Sequence, residues 1–223
     1  MFDGIAPSYD RLNHLMSLGV DRRWRRRAIK EIVDGTPIRV LDVACGTGDS
    51  TIAIARAAGA GSMVTGVDIS EGMMSMVMSK AAREGVQDRI ELMVADGCNL
   101  PFQDSSFDCV TCAFGIRNFE DKEAGLSEFL RVLKPGGKVV ILELSVPSSR
   151  ILRAVYNLYF MHVLPWIGGL ISGNKAAYRY LPSSVQKFPA PEAFCSMLSD
   201  TGFKSVCHRA LSLGLCRIYT GER

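Results

Sequence analysis

The stretch VLDVACGTGD, residues 40–49, constrains this chain more than any other. An apolar run carrying one acid, Asp42, gives way to small residues and two glycines, Gly46 and Gly48, before a second acid, Asp49. Such a run reads as a buried strand that turns sharply into a helix, with bare backbone at the turn. It is the first of a series. Strands are expected at IRVLDVA (38–44), SMVTGVDI (62–69), RIELMVAD (89–96), FDCVTCAFG (107–115) and KVVILEL (138–144). Helices are expected from Asp49 to about Ala58, from Glu71 to Glu84 and from Lys122 to Leu133. The tail GFKSVCHRALSLGLCRIYTG (202–221) reads as two strands around a Gly-containing bend. Strands alternating with helices imply right-handed crossovers and an α/β fold, a mostly parallel seven-stranded sheet with helices on both faces. The closing strand pair, with no helix between, implies an antiparallel edge strand.

A chain of 223 residues suits one domain spanning 1–223. Residues 1–35 are expected to form helices ahead of the first strand. Residues 146–190 are too long for a plain loop and read as a helical lid over the carboxyl ends of the strands, where open α/β sheets bind ligands. The apolar content of 48% and charged content of 22% are those of a globular protein. A net charge of +3 is too weak to argue for nucleic acid as a partner. Seven cysteines, odd in number and irregularly spaced, with no secretory leader ahead of the first motif, point to a reduced, cytoplasmic compartment. Cys109 and Cys112 form a C-x-x-C within an expected strand. Residues three apart on a strand face opposite ways, so the pair reads as core packing, and no metal site is expected.

The glycine turn names a ligand. A dinucleotide fingerprint would place a third glycine where Thr51 stands. Asp42 would repel a phosphate and favour a cationic amino-acid head. The pattern therefore favours S-adenosylmethionine, which has an adenosine, an ammonium group and a sulfonium, and no phosphate. Asp68 ends the second strand twenty residues past Gly48, where an acid accepts from both ribose hydroxyls. Asp96 ends the third strand, in place to accept from an adenine amino group.

Seven stretches carry a closer likeness: FDGIAPSYDRLNHLMSLGVDRRWRR (2–26), VLDVACGTGD (40–49), DISEGM (68–73), ADGCNLPF (95–102), FDCVTCAFGIRNF (107–119), RVLKPGGKVVILEL (131–144) and YRYLPSSV (178–185). With them the chain resembles the ubiquinone/menaquinone biosynthesis C-methyltransferase family, a Rossmann-like class I methyltransferase group. The glycine turn and LKPGG occur in many methyltransferases, whereas FDGIAPSYDRLN, FGIRNF and YRYLPSSV are much more specific. The resemblance implies S-adenosylmethionine as methyl donor and a polyprenylated quinol as acceptor, methylated on a ring carbon. It assigns donor binding to Thr47, Asp68 with its neighbour Ile69, Asp96, Gly97 and Ala113, the last standing where the family often has serine. Asp42, Gly46 and Gly48 join them from the turn itself. Ala44 stands where the family usually has its first glycine. YRYLPSSVQKFP (178–189) looks more like the menaquinone-type members, so demethylmenaquinol, a naphthoquinol, is the favoured acceptor. A ubiquinol precursor and another small apolar molecule are the alternatives.

Arg117, in FGIRNF, is expected at the end of the fourth strand, facing the acceptor. Its guanidinium stays protonated, so its role is to stabilise a forming oxyanion and hold a relaying water. Asn118 would orient that water or the ring oxygen. Tyr9 and Asp10 would close the pocket from the N-terminal helix. His14 and His162 lie in the flanking regions and His208 in a tail strand; none is the favoured base. The uncharged run VYNLYFMHVLPWIGGLI (155–171) falls short of a membrane span and reads as lid and as a channel for a prenyl tail. The arginine-rich DRRWRRRAIK (21–30) is either a solvated helix face or one that touches anionic headgroups weakly, at the inner face of the membrane. The oligomeric state is left open, a homodimer being one option.

Overall fold

The computed structural model describes residues 17, 19–147, 149–158 and 182–223. Seven strands form one sheet: β1 (Arg39–Val43), β2 (Met63–Asp68), β3 (Ile90–Val94), β4 (Phe107–Ala113), β5 (Leu133–Leu144), β6 (Lys204–Leu211) and β7 (Cys216–Glu222). Their order is β3-β2-β1-β4-β5-β7-β6. The first five pair in parallel, with helices in every connection but the one from β3 to β4. β7 runs antiparallel to both β5 and β6, because β6 and β7 are joined by only a short turn. The antiparallel strand therefore lies one in from the edge, and β6 closes the sheet.

The helices are α1 (Asp21–Ile32), α2 (Asp49–Ala57), α3 (Glu71–Met74), α4 (Val77–Arg83), α5 (Lys122–Val132), α6 (Arg150–Leu158) and α7 (Pro191–Thr201). Residues 182–187 are also helical. Strand alternation builds two cores. Val40, Cys109 and Val140 face α1, α2 and α4, while Leu41, Val110, Cys112 and Ile141 face α5 and α7. Cys109 and Cys112 thus lie on opposite faces, as their spacing on a strand requires.

Two expected elements differ in detail. The helix expected over Glu71–Glu84 is interrupted at Ser75 and Met76. The Ser75 hydroxyl donates to the Gly72 carbonyl at 2.7 Å, a local bond that competes with the helical ladder. β5 begins at Leu133, ahead of the expected Lys138, but its pairing jumps from Phe107↔Leu133 to Cys109↔Lys138. Pro135, which has no N–H to give, and Gly136, at φ +75°, fall in that bulge. Among the described residues no helix is long and apolar enough to cross a membrane.

Candidate active site

The strand order reverses between β1 and β4, and ligands of open α/β sheets sit outside the carboxyl ends of the strands at such a point. A cavity of about 810 Å³ lies there. Its floor is the chain leaving β1 and β4, its side the ends of β2 and β3, and its cover α1 and α6.

The glycine turn is shaped from both sides. Ala44 and Gly46 both take φ +56° and Gly48 φ +80°. A side chain at Gly48 would place its Cβ 2.6 Å from Val77 Cγ1, so this glycine lets α2 pack on α4. Ala44 keeps a methyl group in a left-handed conformation, and that methyl fills the space opposite Gly115, whose own Cβ would lie 2.5 Å away. Lys80 clamps the turn by donating to the Thr47 carbonyl at 2.9 Å while pairing with Asp49 at 2.5 Å.

Asp68 is oriented by backbone. Its Oδ2 accepts from Gly46 N at 2.8 Å and its Oδ1 from Ser70 N at 2.9 Å. Both contacts fix the carboxylate at the cavity edge and leave each oxygen a further lone pair. Ile69 beside it is 72% exposed and lines the cavity with Met73 and Ala95, an open apolar slot next to an acid. Asp96 accepts from Cys98 N at 2.9 Å, which folds the loop after β3. At Gly97 a Cβ would come 2.4 Å from Phe119 Cζ; the same ring closes on Gly125. Phe119 is therefore seated between two glycines and anchors the turn that carries Arg117 and Asn118.

Asp42 does not line the cavity. It is 1% exposed beneath the turn, and Thr51, the residue in place of a third glycine, donates to its Oδ2 at 2.6 Å. Its Oδ1 is buried without a hydrogen-bond partner. Burial pushes its carboxyl up to about 6, against the opposing hydroxyl of Thr51 and charge of Arg25. Arg25, from α1, reaches the cavity wall. Its guanidinium donates to Ser50 and stands 4.9 Å from the centre of the Phe114 ring, while its Nε, 3.9 Å from the Asp21 carboxylate, is buried without a hydrogen-bond partner. Cys45, in the turn, has its thiol raised by burial first and by Asp42 and Asp68 next, which keeps it protonated.

Arg117 lies past the end of β4, in the short helical turn Ile116–Asn118 that follows Phe114 at φ +63°. Its side chain is 6% exposed and that of Glu143 is fully buried, with Arg117 Nη1 2.9 Å from Glu143 Oε1. Nη1 also donates to the Phe114 carbonyl, Nε to Ser184 Oγ at 3.4 Å, and Arg117 N to Glu143 Oε2 at 3.2 Å. Burying one charge against another at this distance is tolerable only because further hydrogen bonds satisfy both groups. Tyr156 of α6 is buried beside the same cavity, and burial pushes its phenol up to about 12, with Arg117 opposing.

Of the expected site residues, Gly46, Thr47, Asp68, Ile69, Asp96, Gly97, Ala113, Arg117 and Asn118 meet at one cavity. Asp42 and Gly48 support it from behind. Tyr9, Asp10, His14 and His162 lie outside the described residues. His208 stands on β6, with Nδ1 2.9 Å from Arg217 Nη1, and does not line the cavity. Arg25, Glu143 and Tyr156 were not singled out from the sequence. Glu143 did carry a signal, as the one acid in KVVILEL. The residues fit an adenosyl amino acid: an anchored acid beside an open apolar slot at one end, and at the other the Arg25 guanidinium in the cavity wall, with the buried Asp42 carboxyl beneath the turn.

The comparisons with known proteins point the same way. The model of the ubiE/COQ5 methyltransferase family matches residues 1–223. The ubiquinone/menaquinone biosynthesis C-methyltransferase UbiE of Geobacter sulfurreducens is 51% identical over 223 residues, covering 100% of this chain and 87% of its own. The demethylmenaquinone methyltransferase of Thermus thermophilus is 47% identical over 100% of both chains. In fold, the chain is similar to a solved SAM-dependent methyltransferase from Aquifex aeolicus, with a TM-score of 0.62, 18% identity, and coverage of 89% of this chain and 88% of that one.

Proposed function

Because this chain belongs to the ubiE/COQ5 methyltransferase family, we propose that it methylates a ring carbon of demethylmenaquinol, the reduced naphthoquinol. The observation that carries the reading is the buried Arg117–Glu143 pair, set beside the same cavity as the anchored Asp68 and the bare glycine turn. The full-length likeness to a demethylmenaquinone methyltransferase supports the choice of acceptor.

S-adenosylmethionine supplies an electrophilic methyl group. Asp68 would accept from the ribose hydroxyls and Asp96 from the adenine amino group, with Ile69 and Met73 covering the ring. Thr47, Gly46 and Ala113 offer backbone at close range. Arg25 suits the carboxylate of the amino-acid head, and Asp42 favours its ammonium from beneath.

On the acceptor side, a quinol hydroxyl has a pKa of roughly 10, like a phenol. Arg117, fixed by Glu143, Phe114 and Ser184 at the cavity wall, would lower the cost of ionising it through the positive charge it holds near the forming oxyanion. It cannot take the proton, so a water held by Arg117 and Asn118 would relay it to solvent. The apolar walls exclude bulk water, which favours a step that turns an anion and a cation into neutral products. Tyr9 and Asp10 remain proposed pocket residues on the resemblance alone. A prenyl tail keeps such an acceptor in the bilayer, so the protein would work at the cytoplasmic membrane surface.

The test is a mass-spectrometric assay with S-adenosylmethionine and chemically reduced demethylmenaquinone. A donor-dependent methylated product is expected. Methylation of a ubiquinol precursor alone would keep the reaction and overturn the acceptor.

A further inference from the structure

We propose that the outer face of α1, together with the turn bearing Leu213, docks the protein on an anionic lipid bilayer. The assignment rests on the reading that the acceptor is held in a membrane.

Three observations meet on one surface. First, Arg22, Arg23, Arg26, Arg27 and Lys30 are all exposed on α1, and among the described residues none makes an ion pair. Cations on a solvated face usually find acids three or four residues away, but α1 holds no acid between Asp21 and Glu31. Asp21 is buried at the start of the helix, and Glu31 is taken by Arg209. Arg23, Arg26, Arg27 and Lys30 instead line a groove of about 520 Å³, closed on the other side by Leu211 and Ser212. Among the described residues no acid lines that groove.

Second, the turn between β6 and β7 presents an exposed apolar side chain. Leu213 is 75% exposed and held at φ +59°, next to Ser212 at φ +46°. A branched side chain in that conformation is strained, and the fold gains no burial from it. Trp24 Nε1 donates to Ser212 Oγ at 2.8 Å, which ties this turn to the cationic helix. The leucine therefore stands beside the unpaired cations rather than apart from them.

Third, the two surfaces share a wall with the active-site cavity. Trp24, Val20 and Ser212 line both the groove and the cavity, and Leu213 lines the cavity as well. A bilayer seated on the cations, with Leu213 among its acyl chains, would meet the cavity at that wall. An apolar acceptor would then cross from lipid to site with little exposure to water. Cations over headgroups, an apolar tip below them and an adjoining greasy entrance form one complementary surface for a bilayer.

The experiment is vesicle sedimentation with neither acceptor nor methyl donor present. Vesicles are pure phosphatidylcholine, or seven parts phosphatidylcholine to three parts phosphatidylglycerol. The parent protein should partition to the anionic vesicles only, and lose that partitioning at high salt. Each cation near such a surface is worth about a fivefold change in partitioning. Arg23→Gln/Arg26→Gln/Arg27→Gln should therefore bind roughly 100-fold more weakly, and Leu213→Ser roughly tenfold more weakly. Far-UV circular dichroism, together with unchanged turnover of a short-tailed, water-soluble quinol by the triple variant, shows that the fold is intact. Equal binding of parent and triple variant overturns the proposal, as does a parent that ignores anionic vesicles or prefers single-stranded RNA to them. Vesicle binding without methylation keeps the docking face and rejects the enzymatic reading; methylation without vesicle binding does the reverse.

Discussion

Arg117 and Glu143 form a buried ion pair, Nη1 to Oε1 at 2.9 Å, across the ends of neighbouring parallel strands. The pairing Ala113↔Leu142 sets Glu143 beside the turn that follows β4, so the guanidinium is fixed without help from the ligand. Removing one partner strands the other charge. Arg117→Ala should lose turnover by roughly 100- to 1,000-fold and stability by about 3 kcal/mol. Donor affinity should stay within about twofold. Adding Glu143→Gln should restore most of the stability and none of the turnover. Urea unfolding and single-turnover kinetics on the two variants separate these effects, and recovery of turnover in the double variant would show that Arg117 is only structural.

The pairing explains what the sequence could and could not tell. The sheet was legible, because each strand is a short apolar run closed by a turn, and the faces of Cys109 and Cys112 follow from period two alone. Asp68 and Asp96 were legible as acids at successive strand ends. The partnership of Arg117 with Glu143 was not, since it spans 26 residues and depends on the β4–β5 register. The recess of Asp42 was hidden for a related reason. A strand-end acid looks the same in sequence whether it faces the cavity or lies under a threonine. Arg25 was lost among five arginines, and only the packing of α1 separates it from its exposed neighbours.

Asp42 should leave a signature in the pH dependence of stability. Folded, it titrates near 6, above its ordinary value of 3.8, because burial disfavours the charge. The native state thus holds this proton more tightly than the unfolded chain does. The stability it contributes is full below about pH 4 and is lost as pH rises through 6. Asp42→Asn can still accept from Thr51 and carries no charge. It should match the parent near pH 4 and exceed it by roughly 1–3 kcal/mol at pH 7.5. Its affinity for S-adenosylmethionine should be several-fold weaker at neutral pH. Thermal melts at the two pH values check the first outcome; identical pH profiles for parent and variant would remove the charge from the account.

Gly48 is required twice over, by its φ of +80° and by Val77, which leaves no room for a methyl group. Gly48→Ala should cost about 2–4 kcal/mol, part strain and part overpacking. Trimming the obstacle should return the packing share. In a double-mutant cycle with Val77→Ala, the combined loss should fall at least about 1 kcal/mol short of the sum of the two single losses. Additive losses in urea unfolding would mean that the backbone angle alone dictates glycine here.

Arg25 offers the sharpest division between binding and packing. Its Nε is buried without a hydrogen-bond partner, 3.9 Å from Asp21, and its guanidinium covers the Phe114 ring in the cavity wall. Arg25→Met keeps an unbranched side chain over that ring and removes the charge. A charge-assisted hydrogen bond to a carboxylate contributes about 1.5–3 kcal/mol. Affinity for S-adenosylhomocysteine should accordingly fall roughly 10- to 100-fold. Affinity for 5′-methylthioadenosine, which has the same nucleoside and no carboxylate, should change less than about twofold. Arg25→Lys should recover part of the first loss, because it restores charge without the planar fork. Isothermal titration with both ligands decides the matter. Equal losses for the two would place Arg25 in the packing of α1 and leave the amino-acid carboxylate to another group.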